Sequence, residues 1–247
     1  ILSGLVGSEM CIRDSKKYPS KNDWNISDDS SYIHMVMNET IEGVACRSLD
    51  NLPEKVIVSD CSSNILSEPL DVKKFGLIYA GAQKNIGPAG LAIVIIRKDL
   101  IQKRDDLPAL MSYQTYADSE SMYNTPPTFA WYLSGKVFSW LKRNGGLKSI
   151  EEINLRKAKK LYDYIDNSDF YYNDVSIESR SIMNVPFLLN DDSLNDSFLK
   201  DSEKEGLLNL AGHRSVGGMR ASIYNAVPEE AIDALVSFMD VFANKYG

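Results

Sequence analysis

The sequence predicts an α/β protein: a mostly parallel sheet covered on both faces, followed by a smaller α+β unit. Three observations predict it. Short runs of continuous rather than alternating apolar residues, over 55–59, 77–80 and 91–96, are the pattern of strands buried on both faces. Long stretches over 128–143 and 149–167 repeat their apolar residues with the helical period. Beyond about residue 180 short strand-like and helix-like segments alternate again, which marks a change of architecture.

Residues 1–23 correspond to nothing in either unit. Their short apolar start is followed closely by charges, lacks the basic n-region of a secretory signal and opens without methionine. They are expected to be the cut end of a longer protein, with foreign sequence at the start. A polar stretch over 16–31 reads as a linker. The first strand, over 32–37, ends in the polar corner Asn38-Glu39-Thr40, and the strand over 55–59 ends in Asp60. The runs 77–80 and 91–96 flank a tight turn rich in small residues.

An excursion over 111–127 stops at Pro126-Pro127. The helix over 128–143 is expected to turn Phe129, Tyr132, Leu133, Val137, Trp140 and Leu141 inward, with Gly145-Gly146 closing it. The next helix turns Ile150, Ile153, Leu161, Tyr164 and Ile165 inward and sets Glu152 four residues before Arg156 for an ion pair. A strand over 181–189, a helix over 193–205, a strand over 219–224 and a terminal helix over 228–246, with Pro228 near its first turn, complete the chain. The expected division is a partial large domain over 24–144 and a small domain over 145–247.

Composition excludes several classes. A net charge of −7 argues against nucleic acid as the main partner, because phosphate binding leaves a basic footprint. No apolar run approaches the roughly 18 residues of a membrane span. The three cysteines, Cys11, Cys46 and Cys61, are odd in number and lack metal-ligand spacing, so reduced thiols and no metal are expected. The default location is cytoplasmic.

Chemistry centres on Lys84, set in the run Tyr-Ala-Gly-Ala-Gln-Lys-Asn-Ile-Gly-Pro-Ala-Gly over 79–90. Small neighbours let a flat ligand approach the backbone, and a lysine between buried strands is a candidate Schiff-base nucleophile. The plain alternative is a surface lysine in a turn. Asp60 ends a strand 24 residues earlier (84 − 60 = 24), about the span of a strand-crossover-strand unit. A carboxylate there would keep the ring nitrogen of pyridoxal phosphate protonated. It could equally cap the turn that follows. His34, in a strand, and Trp131 and Trp140, at helix-core spacing, read as structural.

Five pieces occur in a fixed order: Asn38 to Gly43, Asp60 to Ser67, Tyr79 to Gly90, Asn124 to Thr128 and Gly212 to Ser222. Together they resemble the phosphoserine aminotransferases, enzymes of the pyridoxal-phosphate-dependent transferase fold of type I, over roughly 24–247. The resemblance implies transfer of an amino group between L-glutamate and 3-phosphohydroxypyruvate, giving O-phosphoserine in serine biosynthesis, with a possible second role in pyridoxine biosynthesis. It implies that Lys84 bonds the cofactor and moves the substrate's proton, that Asp60 pairs with the ring nitrogen, that Thr40 meets the phenolic side and that Gln83 meets the phosphate. Asn124 and Thr125 would reach the cofactor phosphate of the other subunit of a homodimer. His213 and Arg214 would hold the substrate phosphate and Arg220 its α-carboxylate. An arginine fork suits both anions, although a surface charge or a loop histidine is the plain reading of each alone.

The family's upstream third has no counterpart here, so the chain by itself is expected to bind the cofactor weakly and to leave a sheet edge exposed. Two other readings stand beside this one: a different enzyme of the same fold type, and a fragment that binds no cofactor.

Overall fold

Apolar and β-branched runs build four strands: β1 (Ile33–Val36), β2 (Ile57–Asp60), β3 (Leu77–Gly81) and β4 (Ala92–Ile96). They lie side by side in that order, the first three parallel and β4 antiparallel to β3. Because β1, β2 and β3 run the same way, all three end at one edge of the sheet, the edge where ligands sit in open α/β sheets. Ile57, Leu77, Ile78 and Ala80 are buried, as continuous apolar runs require. The expectation of two covered faces does not extend to β4: it is one of the two outer strands among the described residues, and Val94 and Ile95 are exposed.

The computed structural model describes residues 16–20, 22, 24–50 and 52–247. These form two compact units. One comprises 26–37 and 52–150 and holds this sheet with α1 (Tyr113–Asp118) and α2 (Thr128–Arg143). The expected apolar stripe of α2 packs only in part: Leu141 is buried and Leu133, Val137 and Trp140 are half-buried, but the start of the stripe lies outside. Ala130, Ser134 and Leu141 are buried, whereas Phe129 is 71% and Tyr132 58% exposed. The reason is close approach: a Cβ on Gly87 would stand 2.6 Å from Ser134 Oγ and 3.4 Å from its Cα, so only the small face of α2 fits against that turn. At the helix end Asn144 N–H donates to Trp140 O and Gly145 takes a positive φ of 88°, a glycine stop as the sequence implied.

The second unit takes the described residues up to Asn25, then 38–51 and 151–247. The boundary falls inside α3 (Gly146–Asp166), between Ile150 and Glu151, and 38–51 belongs with the C-terminal part. The single cut at 144–145 is therefore corrected. The physical reason is a set of strong local contacts: Val44 bridges to Arg180, Ser181 N–H donates to Gly43 O, and Gly43 presses on Pro186. Gly43 has φ +72°, and a Cβ there would sit 2.4 Å from Pro186 Cδ. Gly43→Ala is accordingly expected to lower stability by about 2 kcal/mol or more, read as a fall in the denaturant midpoint.

In this unit β5 (Tyr171–Tyr172), β6 (Asn184–Leu189) and β7 (Met219–Ser222) form an antiparallel sheet. It packs with α3, α4 (Asn195–Lys204) and α5 (Glu229–Tyr246) around a core containing Leu161, Tyr171, Phe187, Phe198 and Phe242. Phe198 meets Tyr171, Phe187, Phe238 and Phe242 edge-on, the geometry that aromatic quadrupoles favour. Arg156 does not take the local partner expected for it. It reaches Glu229 of α5 (Nη2 to Oε2, 3.4 Å), because a partner from a packed neighbouring helix lies within its reach.

Candidate active site

The two loops that carry Asp60 and Lys84 leave the same sheet edge, and three hydrogen bonds fasten them. Asp60 stands opposite Tyr79 in the β2–β3 register. Its Oδ1 accepts the N–H of Ser62 at 2.8 Å, and Ser62 Oγ in turn accepts the N–H of Gly81 at 3.0 Å. Farther on, buried Asn85 donates to Ile65 O at 3.0 Å. That bond braces a loop in which Leu66 holds a positive φ of 61°, a strained conformation for a branched side chain. Asp60 thus caps its turn, the plain reading, and is also fixed at the strand end; the capping bond occupies one carboxylate oxygen and leaves the other to meet a ligand.

Lys84 sits on a single helical turn. Ile86 N–H and Gly87 N–H both donate to Ala82 O, and Ala82, Asn85 and Ile86 are buried on either side of the half-buried lysine. The anchors are small or apolar, so the turn can be rigid while presenting one amine. Gln83 folds back over Gly81, where a Cβ would meet its Oε1 at 2.5 Å. Asp60, Gln83 and Lys84 are therefore brought together at one edge. Asn124 and Thr125, in the same unit, lie exposed on the loop leading into α2.

In the second unit Thr40 and Arg220 meet. Arg220 Nη1 donates to Thr40 O at 2.9 Å, while Arg220 Nε is buried with no hydrogen-bond partner. A buried guanidinium N–H in that state is a group that an anion would satisfy. The Thr40 turn is preformed: the Glu39 carboxylate accepts the N–H groups of Ile41 and Glu42, each at 2.7 Å. Behind it runs a buried polar network. Asn38 donates to Asn184 Oδ1 at 2.9 Å, Ser181 Oγ donates to Asn38 Oδ1 at 2.5 Å, and Asn184 donates to Tyr224 Oη at 3.0 Å.

His213 and Arg214 occupy a closed loop in which Gly212 N–H donates to Gly218 O, and Val216 and Gly217 N–H both donate to His213 O. A Cβ on Gly212 would fall 2.0 Å from Gly217 O, so the loop closes only with glycine there. His213 Nδ1 accepts from Ser215 N–H at 3.3 Å and lies 2.7 Å from Ser215 Oγ. With Nδ1 accepting, the neutral ring carries its proton on Nε2. Arg214 is exposed.

Residue reading took Ser62 only as part of the turn that Asp60 caps, and gave Asn85 and Tyr79 no role of their own. The first lies inside the Asp60 motif and the others beside Lys84, so their place in those motifs was the available signal. His34, read as structural, is exposed and bonds Tyr79 (Nε2 to Oη, 3.0 Å).

The first unit thus offers a strand-end carboxylate and a lysine on a rigid turn, and the second an arginine with an unmet donor. A family model, aminotransferase class-V, matches residues 12–235, and the chain belongs to that family. The resemblance to phosphoserine aminotransferases holds within it. The chain is 58% identical over 231 residues to the protein of that name from Acinetobacter baylyi, covering 92% of this chain and 64% of that one. Its fold matches the solved phosphoserine aminotransferase from Bacillus circulans subsp. alkalophilus with a TM-score of 0.90 at 45% identity, over 93% of this chain and 64% of that one. It likewise matches the PLP-bound enzyme from Trichomonas vaginalis, with a TM-score of 0.86 at 40% identity, over 92% and 64%. The chain thus spans just under two-thirds of the length of these relatives. Among the described residues no helix is long and apolar enough to cross a membrane, and no group of His, Cys, Asp or Glu is placed to hold a metal ion.

Proposed function

We propose that this chain carries most of the active site of a phosphoserine transaminase, which moves an amino group between L-glutamate and 3-phosphohydroxypyruvate with pyridoxal 5′-phosphate. The observation that carries the reading is the fastening of the Asp60 and Lys84 loops through Ser62 and Gly81 at one sheet edge. The residues present fit the cofactor: a fixed carboxylate for a pyridinium N–H, an amine on a rigid turn for an aldehyde, and a side-chain amide beside it for a phosphate. When bound, the cofactor supplies an aldehyde that links to amines and a cationic ring that accepts the electrons released when a Cα–H proton leaves.

The chain's own groups do the rest. Asp60 holds the proton on the ring nitrogen through its negative charge. Lys84 Nζ would hold the cofactor's aldehyde carbon and would carry the substrate's Cα proton across to that carbon, the proton transfer that moving an amino group requires. Thr40 would meet the cofactor's phenolic side and Gln83 its phosphate. Arg220 binds the α-carboxylate with the N–H groups that Thr40 O leaves available, and His213 with Arg214 binds the substrate phosphate.

We propose further that the enzyme is a cytoplasmic homodimer. Asn124 and Thr125 would then reach the partner's cofactor. An exposed apolar surface on α1, α2 and the segments beside them, with Met111, Tyr123, Phe129 and Trp131, supports this. Phe129→Asp is expected to shift the protein toward monomer in sedimentation velocity.

Substrate choice tests the assignment. Arg214→Gln is expected to lower kcat/KM for phosphoserine about 100-fold, since losing a charge-assisted anion contact costs roughly 2–3 kcal/mol, while unphosphorylated serine loses far less. Equal losses for both would favour another enzyme of the same fold type.

A further inference from the structure

Asp60 has neighbours on its own sheet face that no motif assigned. In a sheet, residues directly opposite one another project to the same side. Tyr79 is opposite Asp60, and His34 is opposite Val58, two residues before Asp60, so His34, Tyr79 and Asp60 share one face across β1, β2 and β3. His34 Nε2 lies 3.0 Å from Tyr79 Oη. The two rings stack, with centroids 6.0 Å apart and planes 26° apart. The phenol of Tyr79 is held above its ordinary range by burial first, then by the charge of Asp60 and a hydrogen bond to it.

These contacts have one consistent direction. A phenol has a single proton, and its best acceptor here is the carboxylate. On the proposed reading Tyr79 Oη donates to Asp60, which faces it across the β2–β3 register, and accepts from His34, whose ring would then carry its proton on Nε2. The Asp60 carboxylate would then be held on Oδ1 by Ser62 N–H and braced by the phenol of Tyr79 on the same sheet face. We propose that Tyr79 and His34 are positioning residues for Asp60, forming a His34–Tyr79–Asp60 chain that holds the carboxylate aimed toward the cofactor's ring nitrogen. This rests on reading Asp60 as the partner of that nitrogen.

The test is a double-mutant cycle in the enzyme, followed by titrating the apoprotein with pyridoxal phosphate at its visible absorbance band. Tyr79→Phe keeps the ring and removes the hydroxyl. It is expected to weaken cofactor binding about tenfold and to lower kcat about tenfold, with KM for phosphoserine unchanged. In an Asp60→Asn background the same change is expected to add nothing further, because its effect passes through that carboxylate. His34→Leu should reproduce part of the loss and His34→Gln, which keeps an N–H donor, should restore it. His34 is exposed, so these variants carry the test even if Tyr79→Phe folds poorly. Equal effects of Tyr79→Phe in the two backgrounds, or no effect on cofactor affinity, would overturn the proposal. If Asp60→Asn itself leaves cofactor affinity and the band unchanged, the underlying assignment of Asp60 fails instead.

Discussion

Lys84→Ala is expected to abolish the visible absorbance that pyridoxal phosphate acquires on bonding the enzyme, and to cut turnover about 1000-fold or more. Two losses combine: the covalent hold on the cofactor and the group that moves the Cα proton, and proton transfer by a positioned side chain alone contributes roughly 100- to 10,000-fold. The fold should survive, because Ala82 O accepts from Ile86 and Gly87 N–H and Asn85 donates to Ile65 O, backbone and side-chain bonds that the variant keeps. Borohydride treatment followed by peptide mass mapping gives the check. The unaltered protein should carry the reduced cofactor on the Lys84 peptide, and the variant should carry none. Reduced cofactor on a different lysine, or colour that persists in Lys84→Ala, would show that the amine has been misassigned.

The second large effect concerns stability. Lys157, on α3, is fully buried, and its ammonium donates to the carbonyls of Ile223 (3.0 Å), Tyr224 (2.9 Å) and Val227 (3.0 Å). Asn154, one turn earlier, donates to Asn225 Oδ1 at 2.8 Å. The two side chains pin the turn between β7, which bears Arg220, and α5. Lys157→Met leaves three carbonyls in a dry site without their donors, at a cost of about 3 kcal/mol or more, readable in chemical denaturation.

A pH series gives the same residue a second signature. Burial pulls the ammonium's pKa down from 10.5 to about 8, the nearby Glu229 charge partly opposing. Between those two values the folded chain binds fewer protons here than the unfolded chain, so unfolding free energy rises with pH through the window and is flat in this respect below it. The rise should be missing in Lys157→Met; an identical slope in both proteins would show that Lys157 does not titrate there.

Much of the fold was legible residue by residue. Continuous apolar runs marked β2 and β3, and Pro126-Pro127 with the glycine stop bounded α2 at Thr128 and Arg143. What could not be read was which face of α2 packs. The aromatic side chains at its start, Phe129, Trp131 and Tyr132, are exposed, while the small residues Ala130 and Ser134 beside them are buried. Hydrophobicity ranks what prefers burial, whereas packing selects what fits. The same limit hid the joining of 38–51 to the C-terminal unit, since nothing local to Gly43 indicates Pro186.

For the site, the sequence alone determined the chemical inventory: one amine among small residues, one strand-end carboxylate, a glycine-closed loop with His213 and Arg214, and Arg220 on a strand. Side-chain type and local backbone need are properties of short stretches, so short stretches reveal them. Tertiary structure alone decided the partnerships. The Ser62–Gly81 stitch, the Arg220–Thr40 bond and the His34–Tyr79 pair join residues 19, 180 and 45 positions apart. A hydrogen bond is specified by distance and angle in space, which strand register and loop closure set and no local pattern encodes.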